Sequence, residues 1–471
     1  MLAAILAVSV FVRPSAAQDA RDQPNVLIII ADDLTYSDLS LYGGTNVETP
    51  NIDRLADQGL VFNRAYQSMS MCVPTRSELY TGQYPTTNGA AWNHSPVRPG
   101  TESIVHRLGD LGYRVGIAGK VHVRPRKAFP FERVPGVERS PVAQTAAFNP
   151  SGMRKFMARS DGEPFALTVG LTSPHKPWTV GNPERFNPKQ IDLPSYLVDT
   201  PETRKGMARY LAEIRVLDRQ VGRTLDALRR VRKEEETLVL FTSEQGAQWP
   251  GAKWTNWEPG VRTALVARWP GRVSAGVRTG ALVHYVDVLP TLVDAVGGNP
   301  EAHDFDGSSF LEVLEGEVDE HRDYAFSMHN NVPEGPPYPI RSVTDGEYRY
   351  IRNLRPEAVY MEKHVFGRPS HTKYWSSWMF AAADRAKANM LVQRYLRRPP
   401  VELYDTTEDP SQLNNLAGNP AHEDVQRRLR QALKQWRRKE GDPGAALDSQ
   451  TALEDRREAA RRWQQQEDAS Q

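Results

Sequence analysis

Residues Asn25-Val26-Leu27-Ile28-Ile29-Ile30-Ala31 form an unbroken apolar, β-branched run that stops at Asp32-Asp33. A strand with one wet face alternates apolar and polar side chains; a run without alternation reads as a strand covered on both faces, as in a parallel sheet. Carboxylates at the carboxyl end of such a strand stand where α/β sheets place their ligand sites. The following segments supply the sheet's neighbours. Residues 51–60 read as a helix opened by Asn51, with Ile52 and Leu55 on one face and Gly59 as its stop. Residues 103–111 read as helical, 113–118 as extended, 165–171 as extended and buried, and 204–232 as a long amphipathic helix. Thr237–Thr242 is another buried strand, ending at Ser243-Glu244-Gln245-Gly246. This alternation predicts an α/β fold with a large, mainly parallel sheet flanked by helices.

The pattern changes near residue 320. Residues 324–328, 340–343 and 348–351 are short and alternating, with a turn signal at Asp345-Gly346, and predict a smaller C-terminal antiparallel-sheet subdomain. Residues 425–438 read as a basic amphipathic helix, whereas 449–471 lack a clear apolar face. The expected division is a leader at 1–17, a catalytic domain at 18–319, a subdomain at 320–445 and a flexible tail at 446–471. Leu2–Val12 is apolar but too short to span a bilayer, and Pro14-Ser15-Ala16-Ala17 suits cleavage before Gln18. The reading is an exported protein, periplasmic or extracellular, with no stable membrane span.

The 59 basic and 58 acidic side chains leave a net charge of +1. No global field draws in a polyanion, so an anionic substrate must be recognised by local charges. There is no basic stripe, zinc spacing or RNA-binding signature to support nucleic-acid binding. The single cysteine, Cys72, cannot form an internal disulfide, and a free thiol is unusual in an exported chain. It stands in Cys72-Val73-Pro74-Thr75-Arg76; if Pro74 begins a helix, Cys72 and Arg76 share one side of a turn.

Asp32, Asp33 and Glu244, with the amide of Gln245, offer three carboxylates and one amide oxygen at two strand ends. A hard divalent cation such as Ca²⁺ takes this kind of ligand. Taken singly, Asp32 or Asp33 could equally cap the next helix. Lys120 and His122 follow one strand-like run, His175 and Lys176 another, and Lys253 lies beyond Glu244. Each alone could be a solvated surface residue; together they describe a basic anion pocket beside a metal, with two histidines for acid–base work.

In order along the chain stand Pro24–Asp33, Thr49-Pro50-Asn51-Ile52-Asp53-Arg54-Leu55-Ala56, Cys72–Arg76 with Tyr80-Thr81-Gly82, Gly119-Lys120-Val121-His122, Pro174-His175, Phe241–Gly246, and a closing segment around Glu402-Leu403-Tyr404-Asp405. Over residues 24–440 the chain resembles the formylglycine-dependent sulfatases of the alkaline-phosphatase-like superfamily. Gly119–Pro125, Phe129-Pro130-Phe131, Tyr338–Val343 and Tyr350–Leu354 are most similar to the heparan N-sulfatase (sulfamidase) branch. The resemblance implies a sulfatase acting on O-sulfate esters or N-sulfates of carbohydrates, with Cys72 converted to formylglycine by a formylglycine-generating enzyme. It implies Ca²⁺ bound by Asp32, Asp33, Glu244, Gln245 and residue 72, and Arg76, Lys120, His122, His175 and Lys253 around the sulfate. Where the family has Asp followed by His or Asn, this chain has Glu244-Gln245, each one methylene longer. His329, Arg341 and Arg124 lie in the branch-specific runs and are candidates for contacting the sugar. Two other readings stand beside it: a phosphomonoesterase or phosphodiesterase of the same superfamily, and a catalytically silent binder of sulfated glycans.

Overall fold

The computed structural model describes residues 23–143, 145–159, 162–366 and 373–469; the leader expected at 1–17 lies outside them. Twelve strands are present among the described residues: β1 Asn25–Ala31, β2 Leu60–Tyr66, β3 Arg114–Gly119, β4 Glu132–Val134, β5 Phe165–Gly170, β6 Thr237–Ser243, β7 Arg262–Arg268, β8 Val277–His284, β9 Ala325–His329, β10 Ile340–Thr344, β11 Tyr348–Asn353 and β12 Val401–Asp405. The first eight make one sheet in the order β4-β3-β5-β1-β6-β7-β2-β8. β4, β3, β5, β1 and β6 run parallel, as expected. β7 runs antiparallel to both of its neighbours, which the apolar pattern did not reveal because a strand covered on both faces looks alike in either direction.

Every residue of β1 is buried, with separate apolar clusters on the two faces of the sheet. Leu27 and Ile29 pack on one side with the long helix Pro201–Arg230, and Val26, Ile28 and Ile30 on the other with Leu108 and Leu289. The helix α1, Pro50–Asp57, buries Ile52, Leu55 and Ala56. The helix α2, Cys72–Thr81, is buried at every position and ends at Gly82, whose φ of 66° is the left-handed conformation glycine adopts freely.

The register of the central strands sets the floor of the site. Gly119 pairs with Gly170, Ile30 with Gly170, and Ala31 with Ser243, so four parallel strands end in one row. The ladder continues one step further, with Lys120 N–H donating to Gly170 O (2.8 Å) and Glu244 N–H to Ala31 O (2.8 Å). The row is tight at Gly170: a Cβ there would lie 2.2 Å from the Lys120 carbonyl oxygen and 3.1 Å from an Arg76 nitrogen.

β9 to β12 form the antiparallel sheet β12-β11-β10-β9. It is fastened to the large sheet by Met328 N–H to Ser68 O (2.6 Å), Asn256 to Ser342 (3.0 Å) and Trp257 to Glu402 (2.9 Å). The basic helix Glu423–Lys439 packs on it. The flexible tail expected from residue 446 is not what the structure has there. A helix spans Gln450–Ala469, Leu453 is fully buried against the cluster of Ala91, Trp92 and Val332, and the Asp448 carboxylate accepts from the backbone N–H groups of Asn331, Val332 and Tyr338. Leu453, with Leu447 and Ala452 packed beside it, and the Asp448 carboxylate anchor this segment without a repeating apolar stripe.

Candidate active site

Cys72 is the first residue of α2, 2% exposed, so its sulfur sits at the positive end of a helix dipole. Lys253 Nζ lies 3.3 Å from the sulfur and Gln245 Nε2 3.4 Å. Burial first, and then Glu244, push the thiol up; Lys120, Lys253 and the adjacent His122 imidazole outweigh them and hold it well below the usual thiol range. α2 also carries Arg76 one turn on, as the spacing predicts, although the helix begins at Cys72 rather than at Pro74.

The carboxylates stand opposite. Lys253 Nζ reaches both oxygens of Asp33 (2.6 and 2.7 Å), and Lys120 Nζ reaches Asp32 Oδ1 (2.7 Å) and Glu244 Oε2 (3.4 Å). Arg76 donates to both oxygens of Glu244 and to the Lys120 carbonyl. Burial, and next the Glu244 charge, raise the Asp32 carboxyl far above its ordinary range, while Arg76 and Lys120 overcome burial to hold Glu244 well below it. Three basic and three acidic side chains are thus packed together out of water, where each ion needs a partner.

Two oxygens of this cluster have no partner among the described residues: Asp32 Oδ2 and Gln245 Oε1, both buried. Ligand atoms of Asp32, Asp33, Cys72 and Glu244 lie within 4.8 Å of one another. Unpartnered buried acceptors converging on a carboxylate set fit a hard divalent cation, with Gln245 supplying a neutral oxygen.

The histidines flank the sulfur. His122 Nε2 is 3.1 Å from His94 Nδ1, and burial lowers both rings below the ordinary imidazole range. His175 turns Nδ1 to the Lys176 carbonyl and Nε2 to Asp33 Oδ2, 3.5 Å away. Its loop is pinned by Glu213, which accepts from Ser173 Oγ (3.1 Å) and Val180 N–H (2.8 Å). Asp33, His94, His122 and Trp254 all have positive φ (59°, 65°, 51° and 63°), strain of the kind held at functional sites.

These residues floor or wall a cleft of about 700 Å³. Cys72, Lys120, His122, His175 and Lys253 line it, with Asp32, Asp33, Arg76, Glu244 and Gln245 packed among them. The three sugar-contact candidates do not line it. Arg341 is fully buried in β10, its guanidinium taken by Asp442 (2.8 Å to each oxygen) and by the carbonyls of His329 and Ile340. His329 is fully buried between Asn331 and Tyr360. Arg124 is exposed beyond the rim, near enough to His94 for its charge to depress that ring. Proximity to a motif in sequence does not set which face of a strand a side chain takes.

The cleft instead gains Asn93, His94, Arg139, Lys176, Trp254, Glu334, Lys363 and His364. Lys176, read from the sequence beside His175 as part of a basic pocket, does line the cleft. It is buried against Tyr374 and Trp178, and desolvation lowers it to about 7. Glu334, Lys363 and His364 carry no local signal, since the fold alone brings their two segments here.

A profile of the sulfatase family matches residues 24–298, more than half of the chain. The chain belongs to the sulfatase family. Residues 251–361 of this sulfatase also match the family described as N-sulphoglucosamine sulphohydrolase, C-terminal. The sulfatase is 30% identical over 440 residues to an ulvan-active sulfatase of Formosa agariphila, covering 89% of this chain and 81% of that protein. It is 27% identical over 470 residues to human N-sulphoglucosamine sulphohydrolase, covering 89% and 91%. A protein solved in complex with its substrate D-glucosamine-2-N,6-O-disulfate shares the fold, with a TM-score of 0.69 at 18% identity over 89% of this chain and 99% of that one.

Proposed function

We propose that this sulfatase removes sulfate from sulfated saccharides, as O-sulfate ester or N-sulfate, with residue 72 matured from cysteine to formylglycine and a calcium ion held by Asp32, Asp33, Glu244, Gln245 and residue 72. The observation that carries the reading is the seat of Cys72: buried at a helix N-terminus within Cys72-Val73-Pro74-Thr75-Arg76, with Lys253 3.3 Å from its sulfur. Such a seat stabilises negative charge on residue 72 and on an anion attached to it.

A hydrated aldehyde supplies two hydroxyls on one carbon, so one can accept the sulfuryl group and the other can then expel it as sulfate. Calcium, when bound, supplies Lewis acidity at the sulfuryl oxygens. The protein's own residues do the rest. Lys120 and Lys253 face the charge that builds on the transferring group, and Arg76 holds Glu244 and the Lys120 carbonyl behind them. His122, kept neutral near pH 7 by burial, takes the proton from residue 72. His175 or Lys253 protonates the departing oxygen or nitrogen. Against the phosphoesterase reading stands the cysteine at the nucleophile's place.

The saccharide class rests on the ulvan-active and N-sulphoglucosamine relatives and on the match over residues 251–361. The leader-like run at residues 2–12 supports a periplasmic or extracellular location, and a formylglycine-generating enzyme is the maturation partner this chemistry needs. Among the described residues no helix is long and apolar enough to cross a membrane. Sulfate release measured on N-sulfoglucosamine, sugar O-sulfates and algal sulfated oligosaccharides tests the reading. At least one is turned over; turnover of phosphate monoesters or diesters alone overturns it.

A further inference from the structure

The wall of the cleft contributed by the C-terminal part of the chain carries a carboxylate that the sulfate chemistry does not use. Glu334 lines the cleft yet is only 1% exposed. Its Oε2 accepts from Lys363 Nζ (2.7 Å) and His364 Nε2 (3.0 Å). Its Oε1, equally buried, has no hydrogen-bond partner among the described residues. Although burial opposes ionisation, the bonds from His364 and Lys363 hold the carboxyl at about 2, so it is a full anion at neutral pH. A buried anionic oxygen without a donor is costly, and a donor arriving through the cleft would remove that cost.

The group is also held still. The His364 ring stacks on Trp254, planes 4° apart with centroids 5.2 Å apart. Trp254 directly follows Lys253, which touches the Cys72 sulfur. Lys363 N–H donates to the Glu334 carbonyl (2.7 Å), and the Glu362 carboxylate accepts from the N–H groups of His364 and Val365. These same bonds argue against a second metal, although Glu334, Glu362 and His364 lie close enough to share one. An ammonium already neutralises Glu334, and backbone amides already occupy Glu362. What remains is one unpartnered acceptor on a residue that lines the cleft, which suits a neutral O–H or N–H donor.

We propose that Glu334, positioned by Lys363 and His364, is the specificity acceptor for a hydroxyl or amide N–H of the sugar ring that carries the sulfate. The assignment rests on the sulfatase reading and adds to it the part of the substrate beyond the sulfur. A saccharide fills the acceptor, whereas an aryl sulfate has nothing to offer it. Sites built to hydrogen-bond a substrate hydroxyl discriminate strongly against analogues lacking one.

The experiment compares the mature wild-type enzyme with Glu334→Gln on the best saccharide sulfate from the substrate screen and on 4-nitrophenyl sulfate. For the variant, kcat/KM on the saccharide falls roughly 10- to 100-fold, the loss expected for one hydrogen bond to a charged group, while the value on 4-nitrophenyl sulfate stays within about threefold. Equal loss on both substrates, or no loss on the saccharide, overturns the proposal. Calorimetric binding of the same saccharide to both proteins reads the subsite separately from turnover. If the wild type binds the sugar without hydrolysing it and Glu334→Gln does not bind, the sulfatase reading fails and the subsite stands. Undiminished binding by the variant sinks the subsite.

Discussion

The guanidinium of Arg76 holds the carboxylate of Glu244 with two nitrogens, at 2.9 and 3.3 Å, and neither side chain is exposed. The pair joins the helix bearing Cys72 to the end of a central strand. Removing one partner leaves the other charged and buried, which typically costs about 3–5 kcal/mol. Arg76→Ala is therefore expected to lower the unfolding free energy by about that amount and to abolish turnover. Arg76→Lys keeps the charge but loses the fork, and falls between. Denaturant unfolding of the three proteins checks this; an unchanged midpoint for Arg76→Ala would contradict the paired description.

Maturation of Cys72 has a mass signature. Conversion of cysteine to formylglycine lowers the mass of the peptide containing residue 72 by about 18 Da. Protein from its native host should show this loss, and Cys72→Ser should lose turnover while melting within a few degrees of wild type. An unmodified thiol in fully active protein would sink the formylglycine mechanism.

Metal removal follows from the unpartnered oxygens of Asp32 and Gln245. Chelation should lower both activity and melting temperature, and added Ca²⁺ should restore both. At a hundredfold excess over its dissociation constant a native-state ligand stabilises by about 3 kcal/mol. Asp32→Asn should blunt the response to calcium. A melting curve indifferent to chelator and calcium would exclude the site.

His329, expected to touch sugar, is instead a source of acid sensitivity. Burial, and next the Arg398 charge, depress its pKa to about 3. Between that value and the ordinary imidazole value the unfolded chain takes up a proton that the folded chain refuses, so stability falls as pH drops through this window. From pH 7 to pH 5 the loss is on the order of 2 kcal/mol. In His329→Gln the slope of melting temperature against pH should be shallower over the same range; parallel slopes would show that His329 does not govern it.

The strand ends were legible because chemistry and local pattern coincide there. Asp32-Asp33 and Glu244-Gln245 each close an apolar run, and Lys120 and His175 follow others. Four such ends could be read separately, and the parallel register then brings them into one row. Arg341 was misread because β10 is buried at every position and Arg341 pairs there with Asp442, a partner 101 residues away. Glu334 and His364 were invisible for a similar reason: they lie 30 residues apart, and only the fold sets His364 Nε2 3.0 Å from Glu334 Oε2. The helix Gln450–Ala469 escaped notice because Leu453 and the preceding Asp448 anchor it without a repeating stripe.

Asp33 and Lys253 are 220 residues apart in the chain, yet touch at 2.6 Å. The pocket therefore has no precursor in any local segment: it comes into being only when four distant strands have registered. Competence for turnover is accordingly a report on completed assembly, and a half-built chain offers no weakened version of it. The same closure dictates a timetable for residue 72. In the folded chain its side chain is 2% exposed and bordered by Asp32, Gln245 and Lys253 at the floor of the cleft, so the maturation proposed above is favoured on a chain still open.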